Sequence, residues 1–295
     1  MSTQIAGETP GSARGKGKQA RSTKSSRAAP RLATLQDEAD RQFATTLARG
    51  LDVLRCFTAT EPELTNKEIS ARTGLPKPTI SRLTYTLTRL GYLRHLPHSG
   101  KYGKYGLGTA VLSIGYPLLA NMNVRQIARR PMKELADYAR GWVSIGLRER
   151  LNMVYIETAR SPDVLTNSRA DVGQTFSIMT SAMGRAYLAG SSKSDRTAVM
   201  NQIKVKDPAL WKAYAPRMEK SLADFAKWGF CLGYGDINPM LQAVAVPMRR
   251  MSNDYLMVFN CAVRAPALAP HQLENDLGPR LIRMVRSIED ALDNV

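Results

Sequence analysis

The sequence is poor in the residues that metal sites and disulfides need. Its 295 residues include three cysteines, Cys56, Cys231 and Cys261, and three histidines, His95, His98 and His271. Their wide separation excludes a disulfide framework and a Cys-x-x-Cys metal site, so neither a metal nor a cofactor is expected. No histidine stands between His98 and His271, which leaves little material for a Ser/His or Cys/His catalytic pair. Gly-x-Ser-x-Gly, the P-loop, His-Glu-x-x-His and Gly-x-Gly-x-x-Gly are all absent, and the Gly-Tyr-Gly-Asp run at 233–236 is too short to be a dinucleotide loop. The expectation is a protein that is not an enzyme. Long apolar runs are missing too. Residues 111–120 form the longest, about half of the ~20 residues that cross a bilayer, and Pro117 interrupts them. The N-terminus has no apolar core of the secretory kind. The chain is therefore expected to be cytoplasmic, with no membrane partner.

Positive charge, by contrast, is abundant. Forty-two basic against twenty-five acidic residues give a formal net charge of +17. Residues 41–105 hold eleven basic and four acidic residues, the highest density of net charge in the chain. A compact basic domain points to a polyanion, with nucleic acid ahead of a membrane surface. The length suggests two domains at roughly 100–150 residues each, with room for a tail. Residues 1–40, rich in Gly, Ser, Ala, Lys and Arg, read as a disordered basic tail.

Helical periodicity begins at Phe43, with Leu47, Leu51, Leu54 and Phe57 as an apolar stripe broadened by Val53 and Cys56. Glu61 to Leu64 reads as a break. Thr65 and Glu68 then form a capping box, and Ile69 and Ala71 carry a short helix that stops at Gly74. A third helix opens near Pro78, with Ile80, Leu83, Leu87 and Leu90 as its stripe and Gly91 as its end. Two basic strands, around 92–94 and 104–107, follow with a turn at 97–100. This order is a winged helix-turn-helix, whose second helix enters the DNA major groove. Its polar face presents Lys77, Thr79, Ser81, Arg82, Tyr85 and Arg89, which suit base edges or phosphates. The wing adds Arg94, Lys101 and Lys104.

The motifs Leu-Ala-Arg-Gly-Leu-Asp-Val-Leu at 47–54, Leu-Pro-Lys-Pro-Thr-Ile-Ser-Arg-Leu at 75–83, Leu-Gly-Tyr-Leu-Arg at 90–94 and Gly-Lys-Tyr-Gly-Leu-Gly at 103–108 together resemble the N-terminal domain of the IclR family of bacterial transcriptional regulators. The resemblance extends more loosely over about residues 43–293. It implies an α+β chain: a winged helix-turn-helix over 41–107, a linker helix over 108–122 that helps pair the DNA-binding domains, and an effector-binding domain over 123–295. That last domain is expected to be a GAF-like antiparallel sheet flanked by helices.

Periodicity in the second half agrees with a mixed fold. Helices are expected at 108–119 and 124–140, a hairpin over 143–147 and 153–157, and a further strand at 164–169. Helices over 181–189, 215–228 and 270–292 and strands over 244–248 and 255–262 complete the reading. The basic cluster Arg125, Arg129 and Arg130 reads as a solvated face. Three stretches resemble the family's effector site. In the segment 176–186, Thr180, Ser181 and Met183 stand at a helix start, where free N–H groups and the helix dipole favour an anion. In 229–240, Asp236 matches the family's acidic position, while Met240 replaces a usual glycine and puts the loop's path in question. In 259–262, Asn260 offers an amide to a ligand oxygen. The functional expectation is a regulator of a catabolic operon that responds to a small organic acid, with aromatic acids among the candidates. It would bind a palindromic double-stranded DNA operator as a homodimer or homotetramer. The alternative is a constitutive DNA-binding or architectural protein whose second domain only dimerises.

Overall fold

A computed structural model describes residues 43–97, 103–163, 171–249, 251–252 and 254–294. The tail over 1–40, Lys101, the wing turn at 98–102 and the strand expected at 164–169 lie outside the described residues. The chain divides into two compact units that meet at Ile114 and Gly115.

In the first unit, α1 (Thr45–Leu54) packs with α2 (Asn66–Thr73) and α3 (Lys77–Arg89). The capping box at the start of α2 forms as its sequence dictates. Thr65 Oγ1 accepts from Glu68 N, and the Glu68 carboxylate accepts from Thr65 N at 2.7 Å. These bonds hold the Glu68 carboxyl below the usual carboxylate range. Gly74 closes α2 at φ 69°, a left-handed turn that glycine adopts without a Cβ clash. The core consists of Val53, Cys56, Phe57, Leu64, Ile69, Leu75, Ile80 and Leu93.

Three expectations for this unit are corrected. Leu47 and Leu51 are exposed, and α1 instead buries Ala48, Gly50 and Val53. The core face is thus rotated from the leucine stripe toward the smaller residues. Leu90 is exposed as well, because α3 ends at Arg89 before the stripe repeats, and Thr84 takes an inward position by donating to Ile80 O. Finally, the break at 61–64 contains a short strand, β1 (Glu63–Leu64), paired with β3 (Lys104–Leu107). With β2 (Leu93–Leu96) on the other side of β3, the wing is a three-stranded antiparallel sheet.

The next helix, α4 (Ala110–Ala120), buries none of its side chains. In the second unit, α5 (Asn123–Ala139) precedes β4 (Trp142–Glu149) and β5 (Asn152–Arg160). There follow β6 (Thr175–Ser177), α6 (Ala182–Gly190), α7 (Lys193–Lys206), α8 (Pro208–Trp228), β7 (Cys231–Tyr234), β8 (Leu241–Pro247), β9 (Val258–Arg264) and α9 (Gly278–Leu292). The strands form one antiparallel sheet in the order β6-β5-β4-β9-β8-β7.

Alternation along the strands explains the three layers. Val143, Ile145, Val244, Val246, Phe259 and Cys261 point to one face, where they meet the apolar sides of α5 and α9. Met153, Tyr155, Ala245, Val258 and Ala262 point to the other, under α6, α7 and α8. Four expectations are corrected here. The helix read over 215–228 begins at Pro208, capped by Asp207, because Pro216 is accommodated inside it. The strand read over 255–262 begins at Val258, and the C-terminal α-helix begins at Gly278 after a π-turn over Leu273–Leu277. The cluster around Arg125 is not simply solvated, since Arg125 and Arg129 both reach Glu157 on β5.

One close contact fixes where α6 lies. A Cβ built on Gly184 would stand 2.3 Å from the Cα and 2.4 Å from the carbonyl oxygen of Ile178, both rigid backbone atoms. Gly184→Ala is therefore expected to lower the unfolding free energy by about 2–3 kcal/mol, as overpacking does. Urea unfolding followed by circular dichroism measures it, and a loss below about 1 kcal/mol would show that α6 has slack here.

Candidate functional site

The amino-terminal half of the site is a surface. Of the residues expected to face DNA, Lys77, Ser81, Arg82, Tyr85 and Arg89 are exposed on α3, and Thr79 is half-buried. Lys77, Arg82 and Arg89 pair with no carboxylate among the described residues, so their charge is uncompensated. Lys104, on β3, lies 3.9 Å from Glu63 and is half-exposed.

The second half is a cavity of about 670 Å³, counted out to its mouth. Thr180, Ser181, Met183, Asp236 and Asn260, drawn from three separate stretches of chain, all line it. Trp142, Tyr155 and Phe176 form aromatic walls. These three escaped the sequence reading. The alternation of β5 places Tyr155 on the face of Met153, but only the fold shows that this face lies below α6. Tyr155 and Phe176 rings pack at 4.9 Å.

Ser181 caps α6. Its Oγ accepts from Gly184 N at 3.0 Å and donates to Ser177 O at 2.8 Å. The hydroxyl proton is thus engaged inside the protein. Ser181 sets the first turn of α6, whose amides at Ala182 and Met183 have no place in the intrahelical ladder, and both residues line the cavity.

Asp236 is also engaged. Its carboxylate accepts from Arg185 on α6 and from Arg217 on α8. The Asp236 and Arg185 side chains are 4% and 3% exposed, and Arg217 is 60% exposed. Neither arginine was singled out from the sequence. The available signal for Arg185 was its place after Ala-x-Gly, where the family has a lysine. For Arg217 there was none. Met240 lies outside the cavity lining. Its φ is not positive, Asn238 Oδ1 accepts from its N–H at 2.9 Å, and its carbonyl accepts from Ala265 N. Methionine therefore meets no backbone strain there.

Asn260 lies deep in the site. Its Nδ2 donates to the Tyr155 hydroxyl at 3.3 Å, while its Oδ1 has no hydrogen-bond partner. Burial pushes the Tyr155 hydroxyl up to about 12, so it stays neutral and polar across the physiological range. The Cys231 and Cys261 thiols are likewise pushed up by burial, each to about 12, and are unreactive as nucleophiles. The described residues contain no group of His, Cys, Asp and Glu that could hold a metal ion. No helix among them is long and apolar enough to cross a membrane.

A basic winged helix-turn-helix followed by a second, sheet-based unit with an open, aromatic-walled cavity is the build of a bacterial DNA-binding regulator. The family description "IclR helix-turn-helix domain" matches residues 46–97, and "Bacterial transcriptional regulator IclR C-terminal" matches residues 117–290. The chain belongs to the IclR family, whose members are transcriptional regulators and not enzymes. It is 31% identical over 244 residues to the HTH-type transcriptional regulator TsaQ1/TsaQ2 of Comamonas testosteroni, spanning 82% of this chain and 86% of that one. Among solved structures, it resembles an IclR family transcriptional regulator from Brucella abortus with 42% identity, a TM-score of 0.78 and coverage of 88% of this chain and 97% of the other. It shares its fold with an IclR homologue from Microbacterium hydrocarbonoxydans complexed with 4-hydroxybenzoate, at 21% identity, a TM-score of 0.62 and coverage of 85% and 100%.

Because the Ser181 hydroxyl caps α6, Ser181→Ala is expected to cost about 1 kcal/mol of stability without any ligand. Thermal or urea unfolding of the free protein measures this. An unchanged stability would mean that the cap bonds contribute nothing.

Proposed function

We propose that the chain is a ligand-responsive regulator of a catabolic operon, and that a small organic acid, aromatic in the best-fitting case, is its effector. One observation carries the proposal. Polar groups from three distant stretches converge on a single aromatic-walled cavity at the N-terminus of α6, where the free amides of Ala182 and Met183 and the helix dipole favour a carboxylate. The ring of an aromatic acid packs between Tyr155, Phe176 and Trp142, and Asn260 offers its amide to a polar group at the far end. The Microbacterium homologue supports an aromatic acid only through its shared fold.

In this proposal residues 41–107 bind DNA, 108–122 link, and 123–295 bind the effector, all in the cytoplasm. Lys77, Thr79, Ser81, Arg82, Tyr85 and Arg89 meet the major groove, with Lys101 and Lys104 on the flanking backbone. The operator is palindromic because two copies each supply one α3. Pairing is supported by α4, which exposes Leu112, Ile114, Tyr116 and Leu118 to 74%, 61%, 67% and 48%. A row of large apolar side chains on one helix favours a covering surface, and a second copy supplies one.

Two measurements test the proposal. Arg82→Ala is expected to weaken operator binding by about 1–3 kcal/mol and relax specificity at one base position, as loss of a base contact does. An affinity unchanged within error removes Arg82 from the interface. A thermal-shift screen of small carboxylates should raise the melting temperature for some members and alter the footprint on the operator. If no acid does either, the second unit serves only in assembly.

A further inference from the structure

Asp236 is the one charged side chain among the described residues that line the cavity. A carboxylate is a poor neighbour for an acid ligand, and the two arginines that share it change the sum. Arg185 is almost fully buried and spends its Nε on Met179 O at 3.0 Å. A buried guanidinium without a carboxylate is strongly destabilising, so Arg185 and Asp236 form a self-neutral pair. Arg217 reaches the same carboxylate from α8, with its guanidinium carbon 5.5 Å from the Tyr214 ring centroid. Two cations and one anion leave one positive charge in excess, and Arg217 carries it.

We propose that Arg185, Asp236 and Arg217 act as a charge filter that selects monoanionic ligands, with Arg217 as the specificity-determining residue. This rests on the cavity being the effector site. A ligand with one carboxylate at the first turn of α6 is matched by the single excess charge. A neutral analogue gains nothing from it. A dianion brings a second charge for which no further excess cation exists on the cavity lining, where Asp236 is the one charged side chain. Arg217 is mostly exposed, so water and salt screen it, and the discrimination is a matter of several-fold rather than hundreds-fold.

The test uses the full chain and isothermal titration with three probes of one ring: benzamide, benzoate and terephthalate, carrying no charge, one and two. A second series of pentanamide, pentanoate and glutarate covers a slimmer ligand shape. The wild type should prefer the monoacid in at least one series, and added salt should reduce the preference. Arg217→Gln should lower the acid-to-amide affinity ratio by about three- to tenfold while amide affinity stays within about twofold. Arg217→Lys should restore the ratio, which a merely structural role for the long side chain would not predict. Asp236→Asn should shift preference toward the diacid, even if it also costs stability. An acid-to-amide ratio unchanged in Arg217→Gln, with the protein folded, overturns the filter while leaving the acid site standing. Diacids bound by the wild type as tightly as monoacids overturn it as well. Failure of every acid to bind removes the acid site itself, and the filter with it.

Discussion

The close seating of α6 on its neighbours is the constraint on which the cavity depends. Gly184 packs against the backbone of Ile178 with no room for a methyl group. At Gly146 on β4 a Cβ would run into the Met183 sulfur. The first contact seats α6 on the segment that leads into it, and the second brings its first turn down to β4. That turn carries the Ser181 cap, the amides of Ala182 and Met183, and Arg185 one turn on. Pushed outward by the width of a methyl group, α6 would part Arg185 from Asp236 and lift the donors away from Asn260. Interiors are packed too densely for a graded response, so the site is either assembled or lost.

What could be read from the sequence follows from how local each signal is. The winged helix-turn-helix is local: the Thr65–Glu68 box and the Gly74 stop each lie within a turn or two of their partners, and the exposed cations of α3 repeat along one short helix. The DNA-facing residues could therefore be listed from periodicity alone. The effector residues came from resemblance, and the fold gathers them into one cavity. Their chemistry was not legible, because it depends on partners far away. Ser181 reads from sequence as a residue at a helix start, but the engagement of its hydroxyl by Ser177 and Gly184 is seen only in the fold. Asp236 looked open until Arg185, 51 residues earlier, closed on it. The elements that were missed are those with weak patterns. In α7 only Val199 and Ile203 are buried, and β1, β6 and β7 have two to four residues each.

The two units also treat charge differently. In the second, the cations of α5, α8 and α9 are largely satisfied: Arg125 and Arg129 by Glu157, Lys133 by Asp137, Lys220 by Asp224, Arg280 by Asp276 and Arg286 by Glu289. In the first, the cations of α3 pair with no carboxylate among the described residues. Counterions gather on a polyanion, and only a cation free to displace them gains from the encounter. The basic face of α3 is therefore suited to DNA in a way that the sheet unit, with seven net positive charges spread over residues 106–295, is not.

A ligand in the cavity can influence the other unit only by binding one arrangement of the chain better than another. The cavity's walls bear on how that difference arises. They come from the sheet, from α6, from the 235–238 loop and, through Asp236, from α8. The sheet and α6 are locked together by glycine contacts and a buried core. The loop is tied to α6 and α8 through the Asp236 carboxylate, whose Arg217 partner is exposed. A ligand that touches both the fixed wall and the loop would add contacts between them. On the proposed reading, its binding energy would favour the arrangement in which that loop and, through Asp236 and Arg217, α8 are held against α6.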